Sequence, residues 1–174
     1  AGNAGGAATS ANYIVDGVDP EITSVSFDDT AMKSGDTPTL TIVFSEAVAS
    51  FANADVTCAN GNLATMTSSD DITWTGTFTP TANTEDATNV CSVATSYTDA
   101  YGNGVGEAQD TANYEVETQA PSVSSITMSD TTLIEGETAT LTIVFSETVA
   151  AFASSADVTC ASGSLAAMSI SSGR

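Results

Sequence analysis

The chain has 174 residues, of which 22 are Asp or Glu and 2 are Lys or Arg, so its formal net charge at pH 7 is −20, with no histidine. Arg174 is the last residue, which leaves Lys33 as the only internal base. Nucleic-acid binding, attraction to anionic membranes, and histidine-based catalysis or metal ligation within the chain are therefore excluded.

Acidity of this degree can signal disorder, but hydrophobic residues make up 41 % of the chain and its mean hydropathy is slightly positive. That apolar content supports a packed core. The longest strongly apolar run, 40–44, is far too short to span a bilayer. In chain order, residue 1 begins a Gly/Ala/Asn stretch with neither a basic start nor an apolar core, so no signal peptide is expected there. Strands are then predicted near 22–28, 38–44, 55–60, 62–69, 72–79, 88–97 and 112–118. The clearest alternation sets Ile72, Trp74, Gly76 and Phe78 on one face and Thr73, Thr75, Thr77 and Thr79 on the other. Leu40, Ile42 and Phe44 alternate in the same way with Thr39, Thr41 and Val43. This period of two belongs to antiparallel strands with one buried and one wet face. Turn clusters at 33–36, 60–62, 68–71, 80–83 and 102–104 separate the strands. No stretch sustains a helical period. Trp74, Tyr13 and Tyr114 are expected in the core, and Tyr97 and Tyr101 half-exposed.

Comparison of the chain with itself reveals a repeat. Thr39-Leu-Thr-Ile-Val-Phe-Ser-Glu46 recurs as Thr140-Leu-Thr-Ile-Val-Phe-Ser-Glu147, and Ala54-Asp-Val-Thr-Cys58 as Ala156-Asp-Val-Thr-Cys160. Asn12-Tyr13 matches Asn113-Tyr114, and Pro20 aligns with Pro121. The unit is about 100 residues long. Residues 1–18 read as the C-terminal strand of a preceding unit, 19–119 as a complete unit, and 120–174 as the N-terminal half of a following one. Such an arrangement suggests a piece of a longer repetitive polypeptide. Seven short strands per unit point to an all-β, immunoglobulin-like antiparallel β-sandwich.

Phe-Ser-Glu after a Thr/Val/Ile strand, Asp99-Ala-Tyr-Gly-Asn103 before the last strand and a closing Ala120-Pro121 resemble the bacterial immunoglobulin-like tandem repeats of large surface proteins and biofilm-type adhesins. The resemblance covers nearly the whole chain. It implies an extracellular, cell-surface location, units stacked as extension arms, and any surface or glycan ligand bound by other domains. It also implies calcium between units. The candidate ligands are Asp16 and Asp19 flanking the linker, Glu46 after a strand end, and Asp99 with Asn103 in the loop before the last strand. Calcium takes six to eight oxygen ligands, which such a set supplies. The alternative is a solvated acidic surface. The second linker departs from the pattern, with Glu117 for Asp16 and Ala120 for Asp19, and no EF-hand loop occurs.

The repeat also organises the cysteines. Cys58 and Cys160 are equivalent, and Cys91 falls where residues 120–174 have no counterpart. Each full unit then holds two cysteines, making Cys58–Cys91 a candidate disulfide suited to an oxidising compartment and leaving Cys160 without a partner in this stretch. Two buried thiols are the alternative. Asp70-Asp71 sits in a turn, and no nucleophile–base pair is visible, so no enzymatic activity is expected. Three functional readings remain: a structural stalk of tandem units, a self-assembling extracellular filament completed by strand exchange, and a carbohydrate- or receptor-binding domain using Tyr97 and Tyr101.

Overall fold

The threonine-spaced apolar runs form strands in the computed structural model, which describes residues 2, 6–150, 152 and 157–169. The chain divides into two units, 1–119 and 120–174. In the first, the strands are β1 (Ile22–Phe27), β2 (Ala31–Lys33), β3 (Thr39–Phe44), β4 (Val48–Ala49), β5 (Val56–Cys58), β6 (Gly61–Leu63), β7 (Thr73–Pro80), β8 (Glu85–Asn89), β9 (Cys91–Val93), β10 (Thr98–Asp99), β11 (Gln109–Asp110) and β12 (Tyr114–Glu117). One layer is the sheet β1-β3-β7-β6; the other carries β2-β12-β8 and β11-β9-β5, with β10-β4 as a separate ribbon. This is the all-β immunoglobulin-like sandwich that the alternation predicts.

The core lies between the layers. Val25, Leu40, Ile42, Phe44 and Phe78 come from one side, and Met32, Val56, Cys91, Val93, Tyr114 and Val116 from the other. The Tyr114 ring, fully buried, meets Phe27 at 5.1 Å and Phe78 at 5.6 Å between centroids, both edge-on. Such pairs add about 0.5–1.5 kcal/mol each beyond area burial. Gly61 is dictated by this packing. A Cβ there would lie 1.9 Å from Cζ of Phe78, so the ring occupies the space a side chain would need.

Two predicted strands are cut short, each for a local reason. The strand expected over 62–69 ends at Leu63. Beyond it, the Asn53 amide donates to the carbonyls of Leu63 and Ala64 (3.2 and 2.8 Å), and its oxygen accepts the Met66 N–H (2.7 Å). A side chain thus takes over the hydrogen bonds a ladder would have used. The strand expected over 88–97 divides at Val90: β8 pairs with β12, whereas β9 pairs with β5 and β11. Asn89 is buried at the division and satisfied there, receiving the Asn60 amide at 2.7 Å and donating to the carbonyls of Asp86 and Tyr114 at 2.9 and 3.1 Å.

Residues 6–21 carry no strand, and Tyr13 is 80 % exposed, against the expectation that it shares the core position of Tyr114. The physical difference is pairing. Tyr114 sits on a strand held by β2 and β8, while residues 12–15 have no paired strand among the described residues.

In the second unit, β13 (Val123–Met128) and β14 (Leu141–Phe145) pair as β1 and β3 do. The register is the same, down to the irregularity between Val123 and Ser125 that mirrors Ile22 and Ser24. Several of its described apolar residues are exposed: Val123, Ile126, Met128, Leu133 and Ile134. Leu133 is the counterpart of the fully buried Met32, which forms strand β2 only by parallel pairing with β12.

Candidate metal centre

A carboxylate cluster forms in the first unit because a turn of the linker is tied down beside a strand end. The Ser45 N–H donates to the Glu21 carbonyl (2.8 Å), and the Ser45 hydroxyl accepts the Glu21 N–H (2.9 Å). The chain before Glu21 therefore starts next to Glu46. Within that chain, the Asp16 carboxylate accepts the Val18 N–H (3.1 Å), a local turn of the Asx kind. The third group comes from β10, whose Asp99 stands opposite Val48 of β4 and is 3 % exposed. Single ligand oxygens of Asp16, Glu46 and Asp99 all lie within 4.8 Å of one another.

Asp99 is built into its loop. One carboxylate oxygen accepts the N–H groups of Tyr101 and Asn103 (2.8 Å each), and the other accepts the Asn103 side-chain amide (2.8 Å). The Asn103 carbonyl in turn accepts the Asp99 N–H (3.0 Å). Gly102 closes the turn at φ 95°, where a side chain would be strained. Burial disfavours ionisation of Asp99, but the hydrogen bonds from Asn103, Tyr101 and Gly102 outweigh it and hold its pKa below the usual carboxylate value.

Glu46 is driven the other way. Desolvation raises its pKa, and the negative charges of Asp16, Asp99 and Asp19 raise it further. Every charge acting on Glu46 is acidic. Asp19 is thus within electrostatic reach of Glu46, though outside the tight group of three. Of the five candidate ligands, Asp16, Glu46 and Asp99 converge, Asp19 is near, and Asn103 supports Asp99 by hydrogen bonding. The donors are all oxygen. Two oxygens bound to one Ca²⁺ at about 2.3–2.6 Å lie no more than about 5 Å apart. The 4.8 Å limit on this group is compatible with one shared cation of that size.

The other candidates settle clearly. Cys58 and Cys91 are joined by a disulfide, with Cα atoms 4.0 Å apart. They are directly opposed across β5 and β9. Both backbone groups of Cys91 turn away from β5 to Thr111: its N–H reaches the Thr111 hydroxyl and its carbonyl the Thr111 N–H. Cys58 and Cys91 are therefore a non-hydrogen-bonded pair, the kind whose side chains approach most closely. Cys160 is free and exposed. Asp70 accepts the N–H groups of Ile72 and Thr73 and the Ser68 hydroxyl, so its carboxylate is engaged in a turn and held below the usual pKa.

Tyr97 corrects a second expectation. It is 1 % exposed rather than half-exposed, wedged edge-on between Phe44 and Phe51 at 5.3 and 5.0 Å. Tyr101 is 60 % exposed, so the two tyrosines form no shared platform. Trp74 is partly buried, edge-on to Phe51 at 5.1 Å.

A family model described as a bacterial Ig-like domain matches residues 16–116 and again residues 117–174. No curated protein and no solved structure matches the chain. The first match begins at Asp16, so that residue enters with the unit whose Glu46 and Asp99 it meets. Among the described residues no helix is long and apolar enough to cross a membrane.

Proposed function

The chain belongs to the bacterial Ig-like domain family, and from this we propose that it is a non-enzymatic repeat of an extended extracellular stalk or fibre on a microbial cell surface. The observation that carries the reading is the family match in two adjacent segments, each beginning a few residues before an equivalent proline. Domains of this family are generally structural and usually occur in surface or extracellular proteins. The disulfide suits that setting, since such bonds persist where thiols are oxidised. The high negative charge favours extension, because like charges along a rod repel within a screening length of about 8–10 Å.

Calcium is the cofactor of this reading. Asp16, Glu46 and Asp99 would hold it, with Asp19 adding negative potential and Asn103 keeping Asp99 in place. The ion would tie the linker residue Asp16 to the end of β3 and to β10 and stiffen the entry to the domain. Small-angle scattering and thermal unfolding in calcium and then in excess EDTA test this. The expected result is a lower melting temperature and a more compact, variable particle after EDTA; unchanged curves refute calcium as the stiffener.

A further inference from the structure

We propose that a cleft beside Trp74 binds a small organic ammonium ion that carries methyl groups on its nitrogen. The cleft has a volume of about 310 Å³, and its lining includes Val48, Ala49, Ser50, Asp71, Trp74 and Ala100. Three stretches of the first unit meet there. Asp99 of β10 stands opposite Val48 of β4, and Thr98 opposite Ala49, which brings Ala100 alongside. The Val48 N–H donates to the Asp71 carbonyl (2.9 Å), joining the turn before β7 to the same ribbon. Neither the stalk reading nor calcium at Asp16, Glu46 and Asp99 is needed for this site.

Two lining residues hold a left-handed backbone that is costly for any residue but glycine: Ser50 at φ 65° and Asp71 at φ 58°. Asp71 is fixed in that conformation from both sides. Its N–H donates to the Ser68 hydroxyl (2.9 Å), and its carbonyl accepts from Val48. The neighbouring Asp70 engages its carboxylate within the turn, with Ile72, Thr73 and Ser68. Among the described residues, Asp71 gives only its backbone to hydrogen bonds, so an exposed carboxylate remains at the cleft.

The lining selects the ligand. Val48, Ala49 and Ala100 offer hydrocarbon, and Asp71 offers a negative charge. The Trp74 indole Nε1 is buried and without a hydrogen-bond partner, so the partly exposed Trp74 presents ring carbons to the cleft rather than a donor. A sugar or an anion gains no hydrogen bond from such a ring. An anion is also repelled by Asp71 and by a chain of net charge −20. A cation is favoured by both the carboxylate and the π-electrons of the indole. The chain supplies none of its own here, because Lys33, the only internal base, lies on β2 in the other layer. Methyl groups suit the alanine and valine walls, whereas a bare ammonium is strongly hydrated. The volume stands at the small end of ligand clefts, which run from about 300 to 1,000 Å³.

Trp74 is the only tryptophan, so its indole NMR signals report on the cleft directly. The test titrates the isotopically labelled 174-residue chain, in excess EDTA and at constant ionic strength, with tetramethylammonium, ammonium or the neutral tert-butanol. The expected result is a saturable shift of the Trp74 ring signals with tetramethylammonium, half-complete on the order of 1–10 mM. Ammonium and tert-butanol should each bind at least about fivefold more weakly. Asp71→Asn removes the charge but keeps a residue that tolerates the left-handed backbone, and should weaken tetramethylammonium binding by about fivefold or more. Asp110→Asn, which removes the same charge on β11, should leave it unchanged within about twofold. No saturable shift, an equal response to ammonium or tert-butanol, or equal binding by the two variants would each overturn the proposal. The three ligands compared on the unaltered chain decide the matter should a variant fail to fold.

Discussion

Reduction of the Cys58–Cys91 bond removes a covalent tie between β5 and β9 while leaving the sequence intact. The two residues are 33 apart, and in the loop-entropy account a closure of that length stabilises by about 3–4 kcal/mol. Domains of this size have a total stability of about 5–15 kcal/mol, so the loss is a large fraction of the whole. For a unit of about 100 residues each kcal/mol shifts the melting temperature by roughly 4–8 °C, which predicts a fall of about 12–32 °C. Cys91 is fully buried, so the bond should be reduced in denaturant and the protein refolded with reductant present. Oxidised and reduced chains are then compared by calorimetry and urea titration. The reduced chain should also show a larger urea m-value, because its unfolded state is released from the loop and exposes more surface. A melting shift under about 5 °C would refute the argument that the bond acts by constraining the unfolded chain. Thiol titration under denaturing conditions gives the companion count: one reactive thiol, Cys160, before reduction and three after.

Glu46→Gln should raise the melting temperature of the metal-free chain, because it removes one member of a like-charged group, and should abolish stabilisation by added calcium; calorimetry with and without EDTA reads both. The pH profile of the metal-free chain should peak in mild acid. Glu46 has a raised folded pKa, so its ionised form destabilises at neutral pH and the penalty fades as pH falls towards 4.5. Asp99 has a depressed folded pKa, so its contribution is present above 3.8 and is lost as pH falls below that value. Stability that rises steadily from pH 4 to 8 without metal would contradict this assignment. At the alkaline end, burial pushes Tyr114 up to about 12, so unfolding should become easier as pH rises from 10 towards 12; Tyr114→Phe should make that limb shallower, with Tyr97, likewise raised by burial, supplying the rest. Gly61→Ala places a methyl 1.9 Å from the Phe78 ring and should destabilise by about 1–3 kcal/mol or more, with partial rescue by Phe78→Leu in a double-mutant cycle.

Features that depend on near neighbours in the chain were legible without coordinates. Alternation along 39–44 and 73–79 is a property of single strands, and it predicts both β3 and β7 to within a residue. The repeat offset is likewise read by aligning the chain with itself, and it reproduces the pairing of β13 with β14 down to its irregularity. Strands β2, β4, β10 and β11 escaped because two or three residues cannot display a period; each exists through its partner, as Ala31–Lys33 does beside β12. The break at Leu63 needed Asn53, ten residues away, to intercept the ladder. Tyr97 looked half-exposed because it flanks a loop, but Phe44 and Phe51 enclose it.

For the charged residues the division is the same. By itself the chain determined that it is acidic, that the acid belongs to a repeated domain, and which carboxylates flank strand ends. Only the tertiary structure decided that Asp16, Glu46 and Asp99 meet while Asp19 stays just outside, and that Cys58 faces Cys91 across a non-hydrogen-bonded position. The physical reason is range. Periodicity and composition are written along the chain, whereas convergence depends on sheet register and on a single tie between Glu21 and Ser45 that holds the linker against the strand end.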